Sequence, residues 1–269
     1  MRDSSPYKTI AVATTFSPRF KHVLAEAKRI RDRFGAELHL IYVGRRDEET
    51  SRRFSDVLAE LELPADSPIH YEEGDPAEAI LAALARENID MLVAGALEKE
   101  IVLHPFLGNV ARRLVRDANC SVMLFTHPEK KPKPLRRIVF VEDHSQQGLV
   151  ALKTTLMLAE AESCERLYVI GIITSFDEAR ASIAGDTTPN HREEDPLEEF
   201  VLSVGATEVP IETRSVRVAT GLAASDFVRS VEADLLVVPL PNSRETVQQL
   251  PSNIAWVSDV IPCNLWIVR

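Results

Sequence analysis

Short apolar runs alternate with amphipathic runs along both halves of the chain. The first half opens with KTIAVAT, a run typical of a buried strand, and continues with residues 17–34, where apolar side chains recur every three or four positions. Ser17 followed by Pro18 is a typical helix start, with proline at the first helical position. The runs ELHLIYV, IHYEEG, IDMLVAGA and CSVMLF predict four more strands with helices between them. This alternation predicts an α/β fold with parallel sheets covered by helices on both faces.

The second half repeats the same order of elements. Strand patterns in RRIVFVED, RLYVIGII, IETRSVRV, ADLLVVPL and NLWIVR alternate with helical patterns. Asp234 follows Asp90 by 144 residues, and Asn253 follows Asn109 by the same number. We therefore predict a tandem repeat of two doubly wound, five-stranded parallel-sheet domains. The predicted boundaries are a first domain at residues 1–127, a linker rich in proline and lysine at 128–134, and a second domain at 135–269.

Composition and charge exclude several classes of function. Hydrophobic residues make up 45% of the 269 residues, enough for a sizeable core, and the formal net charge of −10 argues against a nucleic-acid binder. No apolar run approaches the roughly 20 residues that cross a bilayer, so direct membrane insertion is not expected. The cysteines Cys120, Cys164 and Cys263 form no CxxC pair, which favours a reducing, cytoplasmic setting.

The common catalytic and metal-binding motifs are missing from the sequence. It contains no GxxxxGK[ST], GxGxxG, HExxH, GxSxG or calcium-loop pattern. The histidines are scattered, and no spacing predicts a nucleophile beside a base. We therefore predict no catalytic residue and no metal ligand.

The stretch GALEKEIVLHPFLGNVARR, residues 95–113, contains the best candidate for a binding site. Gly95 ends an apolar strand, and Gly108 and Asn109 precede an amphipathic run, where they are expected to cap a helix. Glycines at a strand end and a helix start let backbone N–H groups approach a phosphate. In such sheets the ligand lies beyond the carboxyl ends of the strands, so the first strand and the strand ending at Gly95 should flank the crevice.

Two pairs of stretches resemble the universal stress protein domain. They are YEEGDPAEAILAALARENIDMLVAGA with LGNVARRLVRDANCSVMLF, and KTIAVATTFSP with GAELHLIYV. The resemblance covers nearly the whole chain as two copies, the second fainter. It implies a fold like that of the adenine nucleotide alpha hydrolases, and an internal pseudo-dimer that pairs the last strands of the two domains, CSVMLF and CNLWIV.

Nucleotide-binding members of that family carry an aspartate after the first strand, then Gly-x-x-Gly and a later Gly-Ser or Gly-Thr. In this sequence Thr15 replaces the aspartate, Glu98 replaces the second glycine, and Asn109 replaces the hydroxyl residue. A carboxylate near a phosphate costs about 1–4 kcal/mol at about 4 Å, so the resemblance implies a degenerate site that binds ATP or AMP weakly, if at all. No other cofactor is implied.

The resemblance also implies which residues form the site. In the first domain they are Ala13, Thr14, Thr15, Leu40, Ala94, Gly95, Gly108, Asn109 and Val110. A weaker set in the second domain consists of Val141, Asp143, Ser252 and Asn253.

These observations favour a cytoplasmic, non-catalytic stress-response or regulatory protein. Its expected partners are an adenine nucleotide and an unidentified protein, and a homodimer of the tandem chain is left open. One alternative is a genuine ATP- or AMP-binding protein, including one that hydrolyses ATP slowly. The other is the cytosolic regulatory module of a membrane transporter, because the family is known fused to such proteins.

Overall fold

The computed structural model describes residues 5–96, 107–142, 145–174, 196–218, 222–241 and 261–269. Within these ranges ten strands and seven helices follow one another in the alternating order that the sequence pattern predicts, which confirms the α/β class. None of the helices in these ranges is long and apolar enough to cross a membrane. Internal contacts divide the chain into two compact units. The first holds the described residues before Pro134 together with Asn264–Ile267, and the second holds the others.

The first unit contains six of the strands. Its strands are β1 (Thr9–Thr14), β2 (Glu37–Val43), β3 (Ile69–Glu72), β4 (Met91–Gly95), β5 (Ser121–Phe125) and β10 (Asn264–Val268). Its helices are α1 (Phe20–Phe34), α2 (Glu48–Glu60), α3 (Pro76–Arg86) and α4 (Asn109–Asp117). The strand order is β3-β2-β1-β4-β5-β10, in which β1 to β5 pair in parallel and β10 pairs antiparallel with β5.

The second unit contains four parallel strands in the order β9-β6-β7-β8. They are β6 (Arg137–Glu142), β7 (Arg166–Thr174), β8 (Ile211–Val218) and β9 (Leu235–Pro239). Its helices are α5 (Gln146–Ala161), α6 (Pro196–Leu202) and α7 (Leu222–Ser230). The run predicted as the fifth strand of this half is β10, most of which is grouped with the first unit. The division between the units, after Lys133, falls inside the predicted linker.

The same aspartate contact is made at the start of the first strand of each unit. The Asp90 carboxylate accepts hydrogen bonds from the backbone N–H groups of Lys8, at 2.7 Å, and Thr9, at 2.9 Å. Asp234 accepts hydrogen bonds from two successive backbone N–H groups at the start of β6, both at 2.8 Å. Hydrogen bonds to an ionised acceptor are stronger than neutral ones, so each aspartate fixes one strand beside another. The predicted anchors therefore make equivalent contacts in the two units.

The last strand completes the core of the first unit. Trp266 of β10 is fully buried, and its ring centroid lies 6.0 Å from that of Phe34 and 6.2 Å from that of Tyr7. The Oδ1 atom of Asn264 accepts a hydrogen bond from the backbone N–H of Thr126 at 3.0 Å. The ladder between β5 and β10 confirms the predicted pairing of the two last strands.

The start of α1 differs from the prediction. The Ser17 carbonyl accepts a hydrogen bond from the N–H of Phe20 at 3.0 Å, which closes a turn before the helix. The N-cap residue is Arg19, whose side chain makes no capping hydrogen bond. Pro18 lies in that turn and is not the first residue of the helix. The i to i+3 hydrogen bond forms where the helix was expected to begin. By contrast, α3 begins at Pro76 as its Asp-Pro pattern indicates.

We predict that Trp266→Ala lowers the free energy of unfolding by about 3–5 kcal/mol, because it leaves a cavity where a fully buried indole was packed. Urea unfolding followed by circular dichroism measures the change. Leu202→Ala is the control, since Leu202 is 73% exposed and its truncation should change stability by no more than about 0.5 kcal/mol. Equal stabilities of Trp266→Ala and the wild type would contradict the place of β10 in this core.

Candidate functional site

A cavity of about 440 Å³ lies at the carboxyl ends of β1 and β4 in the first unit. Its wall is formed by the ends of β1, β2 and β4, by side chains of α1 and α3, and by the first turns of α4. The volume is within the range of about 300–1,000 Å³ that is usual for ligand pockets. The cavity occupies the place where the topology of the sheet predicts a crevice.

Most of the predicted first-domain residues meet at this cavity. Leu40 does not line it: Leu40 lies in the middle of β2, and the residue of β2 that lines the cavity is Val43, at the end of the strand. The residues that do line it are Ala13, Thr14, Thr15, Ala94, Gly95, Gly108, Asn109 and Val110.

Of the predicted second-domain residues, the structure describes Val141 alone. Val141 is buried within β6. Asp143, Ser252 and Asn253 lie outside the described residues, as does Glu98 of the first domain. The second-domain set and the repulsion expected from Glu98 therefore stay predictions.

Close packing of α1 on β4 requires the glycine at position 95. A Cβ atom at Gly95 would lie 2.9 Å from Cγ2 of Val23, a contact that real side chains do not make. The missing side chain lets α1 approach the sheet, and Val23 and Phe20 of that helix then form part of the cavity wall. The glycine that resembles part of a phosphate loop thus has a packing role of its own.

The first turn of α4 presents backbone donors at the wall. Gly108 is the N-cap, with φ −62° and ψ 156°, and its carbonyl accepts the N–H of Arg112 at 2.9 Å. The N–H groups of Asn109, Val110 and Ala111 make no hydrogen bond to any residue in the described ranges. Asn109 is the first helical residue and not a side-chain cap, which corrects the prediction. Unpaired N–H groups at the positive end of a helix favour a bound anion.

Ion pairs hold this part of α4 against the start of α3. Arg113 contacts Asp75 at 2.8 Å and Glu78 at 3.2 Å. Asp75 is also the N-cap of α3, where its carboxylate accepts the N–H of Glu78 at 3.1 Å. That hydrogen bond, with the nearby Arg113 guanidinium, lowers the pKa of Asp75, so the pair stays charged at neutral pH. The contacts fix where the α4 donors lie.

The polar side chains of the wall are few. Thr14 donates its hydroxyl hydrogen to the Ile41 carbonyl at 3.0 Å, so this hydroxyl is already engaged with β2. Thr15, Ser17 and Arg19 bring two further hydroxyls and one guanidinium to the wall. Among the described lining residues there is no carboxylate, imidazole or thiol that could act as a general base.

Sequence reasoning missed much of the apolar wall. Phe20 and Val23 are three positions apart and so share one face of α1, which the helical periodicity already indicated. What the periodicity cannot indicate is which end of the sheet this face meets. The lining residues outside the predicted set are Val12, Ser17, Arg19, Phe20, Val23, Val43, Pro76, Ile80, Ala96, Ala111, Leu114 and Pro128.

The doubly wound sheet and its crevice define an α/β protein of the class that binds ligands at the carboxyl ends of its strands. Residues 48–126 match the model of the universal stress protein family. A universal stress protein of Thermus aquaticus is 30% identical over 135 residues, which are 44% of this chain and 98% of that protein. Another, from Methanocaldococcus jannaschii, is 28% identical over 145 residues, or 46% of this chain and 85% of that protein.

A solved structure shares the fold over both halves. The universal stress protein from Archaeoglobus fulgidus superposes with a TM-score of 0.63 over 97% of this chain and 96% of that chain, at 17% identity. The chain belongs to the universal stress protein family, which confirms the resemblance found in its sequence.

We predict that Gly95→Ala lowers the free energy of unfolding by about 1–3 kcal/mol, because the new methyl group meets Val23. Val23→Ala removes the opposing methyl group, so the double variant should be more stable than the sum of the two single losses predicts. Urea unfolding of the four proteins measures this coupling. Strictly additive losses would contradict direct contact between the two positions.

Proposed function

We propose that this protein is a non-catalytic, cytoplasmic stress-response or regulatory protein that binds an adenine nucleotide in the first unit. The observation that carries the proposal is the uncapped start of α4 at the wall of a 440 Å³ cavity. The α4 N–H groups suit a phosphate, and the apolar side chains around them suit a base and ribose. Family membership supports this assignment of ligand class.

Binding should be weak. Thr15 stands where nucleotide-binding relatives carry an aspartate, and the Thr14 hydroxyl is already bonded to Ile41. Arg19 is the one charged side chain among the described lining residues, so little positive charge faces a triphosphate. We expect dissociation constants on the order of 0.1–1 mM for AMP and ATP.

The wall chemistry supports binding without turnover. Hydrolysis of a nucleotide needs a group that orients or deprotonates water, and usually carboxylates that hold Mg²⁺. The described wall supplies hydroxyls, amides and one guanidinium instead. The free thiols of Cys120, Cys164 and Cys263 agree with the cytoplasmic part of the proposal.

We predict that Asn109→Pro weakens AMP binding about tenfold, because it removes one charge-assisted N–H donor. Proline is well tolerated at the first helical position, and the extended backbone of Gly108 suits a residue that precedes proline. Asn109→Ala is the matched control, since it removes the side chain and keeps the N–H. Calorimetry with AMP and with adenosine, which has no phosphate, measures both effects.

Adenosine binding should be the same in Asn109→Pro and in the wild type. Equal AMP affinity in these two proteins would show that the α4 amide does not contact the phosphate. A wild type that binds neither AMP, ATP nor adenosine would overturn the proposed function.

We predict no ATP turnover above the buffer background, with or without Mg²⁺, because no described lining residue can activate water. Phosphate release and ADP formation measure the rate, and Gly108→Trp, which adds an indole at the cavity wall, is the control for contaminating ATPase. Turnover in the wild type that Gly108→Trp abolishes would instead favour the slow ATP hydrolase.

A further inference from the structure

Two histidines on neighbouring strands of the first unit lie in direct contact. Nδ1 of His39, on β2, is 3.0 Å from Nε2 of His70, on β3. The rings stack with centroids 5.2 Å apart and planes inclined by 29°. Neither residue lines the cavity described above, so the pair is a separate feature of this unit.

Glu87, which Arg86 contacts, lies beside His70. Oε1 of Glu87 lies 3.5 Å from Nδ1 of His70, and Nε of Arg86 lies 2.8 Å from the same oxygen. A proton on Nδ1 directed at this carboxylate leaves Nε2 of His70 with a lone pair on the side of His39. A carboxylate behind an imidazole is the arrangement that orients metal-bound histidines.

The distance between the two ring nitrogens suits two ligands of one metal ion. With metal–nitrogen bonds of about 2.0–2.1 Å, two ligands lie about 2.9 Å apart at a right angle and about 3.3 Å apart at a tetrahedral angle. The observed 3.0 Å falls between these values. The pairing of β2 with β3 therefore already holds the two nitrogens at a distance that one ion can span.

The surroundings favour a bound cation. The negative charges of the Glu37 and Glu87 carboxylates are felt at His39. The positive charge of Arg86 is paired with Glu72 and Glu87.

We propose that His39 and His70 bind one divalent transition-metal ion of the imidazole-preferring class, copper(II), nickel(II) or zinc(II), with water in the remaining positions. On binding, the proton of His39 moves from Nδ1 to Nε2, so that both facing nitrogens present lone pairs. Within the described ranges no group of three or more His, Cys, Asp or Glu side chains could hold a metal, so this part of the chain supplies two ligands. The bound ion joins β2 to β3.

The test is calorimetry of the untagged full chain with Ni²⁺ and Zn²⁺ at pH 7.5. We expect one ion per chain, and a loss of affinity of about tenfold or more in both His39→Gln and His70→Gln. His22→Gln is the matched control, since His22 lies on α1 outside the pair and its removal should leave the affinity unchanged. Glu87→Gln should weaken binding by a smaller factor.

Electron paramagnetic resonance of the Cu²⁺ form gives a second readout that does not depend on the stability of the variants. Hyperfine structure from two imidazole nitrogens is expected in the wild type and in His22→Gln. Affinities unchanged in either His39→Gln or His70→Gln, or a wild-type spectrum with fewer than two nitrogens, would overturn the proposal.

Discussion

The carboxylate of Asp90 fixes the start of β4 beside the start of β1, and the crevice at the other end of the sheet depends on that parallel pair. From β1 the chain continues to β2 on one side, and from β4 it continues to β5 on the other. The connections therefore diverge at the carboxyl ends of the strands and leave a space between them. The space becomes a candidate site because α4 begins there with N–H groups that no described residue binds. Asp234 makes the equivalent contact in the second unit.

The first unit also depends on the end of the chain. A strand at the edge of a sheet presents unpaired N–H and carbonyl groups, and β10 satisfies those of β5. Trp266 then fills the space beside Phe34 and Tyr7, and the Tyr7 hydroxyl donates to Oγ of Ser121 at 3.0 Å, at the start of β5. Residues far apart in sequence thus share one core. The unit that carries the cavity is therefore not a continuous stretch of sequence.

Hydrophobic periodicity and turn chemistry predicted the strands and helices well, because both act over a few residues. The Asp75–Pro76 start of α3 is an example, whereas Ser17–Pro18 fits a turn as well as a helix start, and the structure has the turn. Leu40 was carried over by resemblance, but it lies in the middle of β2 and does not line the cavity. Local patterns do not predict contacts between elements that are distant in sequence. The contact between His39 and His70 is one of these, because it arises from the pairing of β2 with β3. The packing role of Gly95 is another, because it depends on how closely α1 approaches β4.

Titration of the ¹⁵N-labelled chain with AMP, followed by backbone amide NMR, tests most directly whether the α4 donors meet a phosphate. The predicted result is a set of shift changes at Thr15, Gly95, Asn109, Val110 and Ala111 that saturate together with one dissociation constant. The amides of β6, β7, β8 and β9 should stay unmoved. Shift changes confined to the second unit, or none at millimolar AMP, would contradict a nucleotide site at the carboxyl ends of β1 and β4.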